Sequence, residues 1–418
     1  MQATTAYDTT TTTTTIANPP TKRQKLIHHH HQHHRQAPPP KPDQLLIPGL
    51  PDHVAQLCLS LVHPSLLYSV CHSWRRLIYS PSFPPFLSLY TLLSSTTTDS
   101  TSTSPSPSTS PSTSPSPADA SLQFLSFDPI SSTWQPLPPP PESDPPLRPV
   151  LRHPSFISRL LPIQSVSVSG RLILLAASTD GLFPAFSRPL VFNPLSRTWT
   201  FGPPLATPRR WCAAGAAAGA LYVASGIGSQ FSTDVAKSVE KWSVCKRRWR
   251  WDNVKGLKDG KFCREAIDAV GWRGKLCMVN VKGDSAKEGV VYDVEKDAWE
   301  EMPKGMVGGW RGPVAAMDEE VMYAVDEANG ALIKYDSARD DWDRVMESEK
   351  LVGAQQIAAG GGRVCVVCSG GGGIVVVDVV ALPARVWVVE TPPGFEAVAV
   401  HILPRMSLNP RYTDCCGY

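Results

Sequence analysis

Three arginines carry the most suggestive chemistry in this chain. Arg210, Arg264 and Arg311 stand at corresponding places in three successive copies of a repeat. Trp211 follows the first of them, Trp310 precedes the third, and Gln356 takes the corresponding place in the next copy. A guanidinium fork pairs bidentately with carboxylate or phosphate. Tryptophan beside arginine is the usual make-up of a binding hot spot. These six residues form the candidate substrate-binding set, and the ligand they suit is an acidic or phosphorylated segment of a target protein. The plainer alternative is that each arginine satisfies carbonyls of its own loop.

Other chemistry-bearing patterns lead nowhere. Cys365 and Cys368 are spaced like a zinc or thiol pair, but they fall in an expected strand. Side chains alternate faces along a strand, so a separation of three puts the two sulfurs on opposite sides. The glycine runs at 360–362 and 370–373 lack the Lys-Ser/Thr of a phosphate loop and read as hairpin turns. The histidines between His28 and His34 sit in a polar tail without a supporting second shell. No Gly-x-Ser-x-Gly, His-Glu-x-x-His or plausible carboxylate pair occurs. The expectation is a non-catalytic chain with no metal and no cofactor.

The elements that would position the arginines repeat. FDPISSTW from Phe127 to Trp134 is echoed by FNPLSRTW from Phe192 to Trp199. YDVEKDAW from Tyr292 to Trp299 and YDSARDDW from Tyr335 to Trp342 keep the pattern, and Trp242 to Trp249 and Val377 to Trp387 are looser copies. Beyond Trp199 the closing tryptophans recur at intervals of roughly 45 residues, the mark of a repeat array. Each copy reads as four strands: an inner one of small apolar residues, a second such as Ala220–Ala224, a third ending in aromatic-Asp, and a fourth opened by Trp. Four strands per repeat make one blade of a β-propeller. The arginines would then sit where the chain enters each inner strand, at the rim of the central channel.

Aromatic-Asp followed by Trp across a tight turn resembles the kelch repeat, over about two-thirds of the chain. Phe395 to Ile402 supplies one more strand after the sixth Trp. It is expected to complete the first blade and close a six-bladed ring, because open edges of a sheet are sticky.

Ahead of the repeats, Val54, Leu57, Cys58, Leu61 and Val62 form one stripe of a helix. His63-Pro64 ends it, since the residue before proline leaves the α region. Val70, Cys71, Trp74, Leu77 and Ile78 repeat the spacing in a second helical stretch that Ser80-Pro81 stops. Helices this short need the rest of the chain, or another protein, to cover them. The series Leu50-Pro51, Val54, Leu59, Val70-Cys71, Trp74 and Leu77 resembles an F-box. The resemblance implies that these eight residues bind a Skp-type adaptor, and through it cullin and RING subunits.

The expected architecture is an all-β six-bladed kelch propeller with a small N-terminal α-helical F-box module. Residues 1–44 form a disordered tail, 45–84 the F-box, 85–405 the propeller with a low-complexity insertion at 94–120, and 406–418 a C-terminal tail. The chain has 418 residues, 42% of them hydrophobic, 41 prolines and a net charge of +3, too small to argue for nucleic acid or a membrane. Ten cysteines and no apolar leader suggest a reducing compartment, cytoplasmic and/or nuclear. Lys22 to Lys25 is a possible nuclear import signal, and the serines before prolines at 104–116 are possible phosphorylation sites. Together the two motif sets resemble the plant F-box/kelch-repeat proteins, Skp-interacting members included. The family implies a substrate receptor of a ubiquitin ligase. A scaffold without a ligase and, further off, a propeller enzyme remain as alternatives.

Overall fold

A computed structural model describes residues 45–95, 122–141, 164–176, 186–228, 233–245, 249–263, 266–282, 285–369 and 373–406. The expectations placed on the tail at 1–44, on the insertion beyond Ser95, on Arg264 and on residues 407–418 fall outside them.

Three short helices come first: α1 (Asp52–Ser60), α2 (Pro64–Val70) and α3 (His72–Ile78). Pro64 opens α2, where its missing N–H is harmless. The His63 imidazole caps that helix by accepting from the Ser65 N–H at 3.3 Å. The expected single second helix is in fact two. Cys71 is fully extended, with φ −157° and ψ 166°, and breaks it.

The strands then run β1 (Leu87–Ser95), β2 (Leu122–Asp128) and β3 (Thr133–Pro136), followed by β4 (Gln164–Val168), β5 (Arg171–Ala176), β6 (Leu190–Asn193) and β7 (Thr198–Phe201). Next are β8 (Ala213–Ala217), β9 (Ala220–Ala224), β10 (Val239–Ser243) and β11 (Asp252–Asn253). The fourth set is β12 (Ala266–Trp272), β13 (Lys275–Lys282), β14 (Ser285–Asp293) and β15 (Ala298–Glu301). The fifth is β16 (Val314–Met317), β17 (Val321–Asp326), β18 (Ala331–Asp336) and β19 (Asp341–Glu347). Last come β20 (Ala354–Gly360), β21 (Arg363–Cys368), β22 (Gly373–Asp378), β23 (Arg385–Glu390) and the closing β24 (Phe395–Pro404). Helices α4 (Thr233–Lys237) and α5 (Lys304–Gly309) lie in connections.

These strands form six antiparallel four-stranded sheets. The first has the order β24-β1-β2-β3, so the C-terminal strand completes the N-terminal blade as expected, along a register from Leu87↔Pro404 to Ser95↔Phe395. The fold is a six-bladed β-propeller. Its core is a set of apolar layers between neighbouring blades, for example Tyr90, Leu92 and Phe124 against Leu172, Leu190 and Phe192. The blades converge at the axis, which demands small residues there. A Cβ on Gly271 would stand 1.5 Å from the Ala216 carbonyl oxygen of the next inner strand.

The octapeptide repeat explains itself in the turn joining third and fourth strands. The Asp accepts backbone N–H bonds from beyond it: Asp128 from Ile130 at 2.8 Å, Asp293 from Glu295 and Lys296 at 3.1 Å. The sixth residue is left-handed in four copies: Ser132, Arg197, Asp297 and Asp340, with φ of 54°, 56°, 48° and 50°. The aromatic and the Trp face each other across the strand pair, with ring centroids 5.2 Å apart for Phe127–Trp134 and 5.0 Å for Phe192–Trp199. Each indole then bonds backward. Trp134 donates to the Glu390 carbonyl at 3.0 Å, Trp199 to Pro138 at 2.8 Å, Trp299 to Lys255 at 2.7 Å and Trp342 to Gly305 at 3.1 Å. The tryptophan is therefore a latch onto the blade behind it. In the third blade the latch is Trp251, donating to Pro203 at 3.0 Å, and not the expected Trp249, which is 48% exposed.

Candidate functional site

Antiparallel alternation gives the ring two different ends. The hairpins from inner to second strands and the aromatic-Asp turns lie at one end. The connections between blades, and those between second and third strands, begin and finish at the other.

The helices join the turn end. Leu59, Leu67, Leu77, Ile78 and Phe83 form their core, against which Ile130 of the first blade's turn packs. The Tyr79 hydroxyl donates to Asp128 in that turn. Buried Arg405, just past β24, donates to the Ser80 carbonyl at 3.1 Å and lies 5.6 Å from the Tyr79 ring centroid and 5.3 Å from that of Phe86. Burial and its bond to Asp128 push the Tyr79 phenol well above its ordinary range.

The propeller leaves the other side of the helices bare. Leu57, Leu61, Leu66 and Val70 are 67%, 89%, 62% and 57% exposed. The stripe expected on α1 thus points to solvent, while Ala55 and Leu59 face inward. Of the eight residues expected to bind an adaptor, Pro51, Val70 and Cys71 are exposed, and Leu50, Val54 and Trp74 are half-buried. Trp74 donates its indole N–H to the Leu46 carbonyl at 2.8 Å. Leu59 and Leu77 are core residues and present no surface. Leu61 and Leu66 belong to the exposed patch and were missing from the eight, although Leu61 lies on the legible stripe.

The loop end carries Arg210 and Arg311, but the structure does not present them alike. Arg210 is 1% exposed and stacks on Trp211, with its guanidinium carbon 4.4 Å from the ring centroid. Arg311 is exposed, with Asp326 4.0 Å away. Trp310 is fully buried between the fourth and fifth blades and donates to Asp268 at 3.2 Å, so it offers nothing to a partner. Gln356 is a strap between inner strands. Its amide donates to the Val400 carbonyl at 2.9 Å and accepts from the Val400 N–H at 2.8 Å. Gln164 binds Cys212 in the same two-way manner, at 2.7 and 3.3 Å. An amide side chain completes a ladder the converging backbones leave open. Among the described residues, Arg210, Arg311 and Gln356 correspond in sequence and not in environment.

Between the two ends runs a channel of about 570 Å³, walled by the inner strands and by small side chains such as Ser165, Ala214, Gly215, Ala269 and Ala358. Its one imidazole among the described residues is His401, buried and 2.9 Å from the Ser165 hydroxyl. Burial pushes this imidazole down to about 4. Nothing in the local sequence around His401 marked it. Cys365 and Cys368 pack on different interblade layers, as the alternation of strand faces requires. Burial raises their thiols to about 12 and about 11, so neither is an activated nucleophile.

No protein-family model matches the chain. Among curated proteins it is 52% identical to F-box/kelch-repeat protein SKIP25 of Arabidopsis thaliana over 373 residues, 87% of this chain and 90% of that protein. It is 25% identical to F-box protein AFR of the same plant over 330 residues, 74% of this chain and 76% of that protein. The helices with their bare apolar face, the six blades and this likeness along nearly the whole length agree: the chain belongs to the F-box/kelch-repeat proteins.

Proposed function

We propose that this chain is the substrate-recognition subunit of a Skp–cullin–F-box ubiquitin ligase, working in the cytoplasm or nucleus. The observation that carries the proposal is the uncovered apolar face of α1 and α2. Leucines with most of their surface in water are a docking site when they cluster. The helix packs its other side on the turn end, so the patch faces away from the propeller core. A Skp-type adaptor covers it, and cullin and RING subunits follow through the adaptor. The loop end, opposite the helices, is left to hold a target protein.

The chain itself performs no bond chemistry in this reading. It holds a target lysine near a charged conjugating enzyme and so raises the effective concentration of one for the other. The test is the pair Leu61→Asp and Leu66→Asp made together. Both side chains are exposed, so the melting temperature stays where it was. Co-purification with the adaptor is lost. Full adaptor binding by this variant rejects the ligase role and leaves a propeller that only binds proteins.

A further inference from the structure

Arg209 and Arg210 are consecutive, both buried, and treated in opposite ways. Arg209 is fully served. It pairs with Glu240 and donates to the Ser238 hydroxyl at 2.7 Å, the Ser225 carbonyl at 3.2 Å and the Thr207 carbonyl at 3.3 Å. Arg210 has none of this. Its Nε, Nη1 and Nη2 are all buried without a hydrogen-bond partner. Glu240 is engaged elsewhere, its second carboxylate oxygen accepting from the Ala206 N–H at 3.0 Å. Burial alone holds the Arg210 guanidinium below its usual range. A buried cation without an anion is strongly unfavourable.

The same corner holds a second orphan. Ser225 is completely buried, and its hydroxyl also lacks a partner. Ser225 stands two residues before Ile227, whose backbone bridges Arg210 in both directions at 3.1 and 2.9 Å. Trp211, left-handed at φ 52°, supplies the ring under the guanidinium. A charged fork with every donor unpaired asks for an anion.

We propose that Arg210, on its Trp211 platform, forms an oxyanion site that takes a carboxylate or phosphate monoester carried by a protein segment at the loop end of the third blade. That this segment belongs to a degradation target rests on the receptor reading above; the site itself does not. It narrows recognition from an array of arginines to one corner.

The intact chain is melted against inorganic phosphate, phosphoserine and N-acetylaspartate, with chloride at matched ionic strength as control. Phosphate and at least one of the two amino-acid probes raise the melting temperature saturably, and the better of the two tells phosphate from carboxylate. Arg210→Met melts higher than wild type without ligand, because an unpaired charge is gone, and no longer responds. Arg210→Lys keeps the charge, loses the fork, and weakens apparent affinity at least tenfold (about 1.4 kcal/mol). An unresponsive wild type, or a response that survives in Arg210→Met, overturns the site. A response to inorganic phosphate alone overturns its assignment to a protein segment. Adaptor co-purification is a separate reading, so failure of the ligase role is told apart from failure of the site.

Discussion

Tyr335 and Trp342 show what one residue contributes to the ring. Their rings lie 5.2 Å apart, and the indole reaches back to the carbonyls of Gly305 and Met306 in α5. The Tyr335 hydroxyl donates to Asp340 at 2.7 Å, and Asp340 in turn accepts from the N–H groups of Gly305 and Met306. These bonds hold the Asp340 carboxyl below the usual range, the tyrosine contact first. Trp342→Ala removes the ring contact and the latch together and should cost about 3 kcal/mol in urea unfolding. Trp249→Ala, which gives up an edge-to-face contact with Trp242 at 5.5 Å but no latch, should cost no more than about 1 kcal/mol. A motif match cannot tell Trp249 from Trp251, because both follow Trp242 and only packing decides which indole finds the Pro203 carbonyl. His401 was invisible for a related reason: its burial comes from ring closure. An ordinary imidazole titrates near 6.5, and in the fold this one is held down at about 4. The unfolded chain therefore takes up the proton first. Stability is complete above pH 6.5 and falls as pH drops toward 4, with about 2 kcal/mol lost by roughly pH 5. His401→Gln should flatten that slope in denaturation curves taken across the window.

At the scale of elements, periodicity located the helices but not what each face meets. A stripe of apolar residues reads the same whether the protein's own core or a partner covers it. Here α1 turns the richer stripe outward, and Leu59 with Ala55 inward. The break at Cys71 was equally hidden, since the spacing from Val70 to Ile78 fits one helix. Arg405 then fixes where the module stands. It ties the last propeller strand to the Ser80 carbonyl and covers two rings of the joint. Arg405→Ala should lower stability by roughly 2 kcal/mol. It should also speed amide exchange in α3 and through residues 79–86, while the blades on the far side exchange as before. Equal acceleration around the whole ring would show that Arg405 supports the propeller at large and not the joint.

For the whole molecule, the blade count was legible because the repeats could be counted and the three strands of the first copy lacked a fourth, which the last strand of the chain could supply. What the repeats could not give was the division of the ring into a turn end bound to the helices and a loop end left open, which needs the strand order in space. Closure joins these two facts. β24 supplies the inner strand of the first blade, a wall of the channel, the Val400 backbone that the Gln356 strap holds and, one residue on, the joint at Arg405. Deleting residues 394–418 removes all four at once. It bares the edge of β1 and opens the apolar layers on both sides of the first blade, where Val400 and Leu403 lie. Blades in a ring each depend on two neighbours, so the loss should spread. The truncated chain should lack a single sharp calorimetric transition and should aggregate through the bared edge. An unchanged melting temperature would mean that five and three-quarter blades hold together without a clasp, and the interblade tryptophan latches alone would have to account for the ring's cohesion.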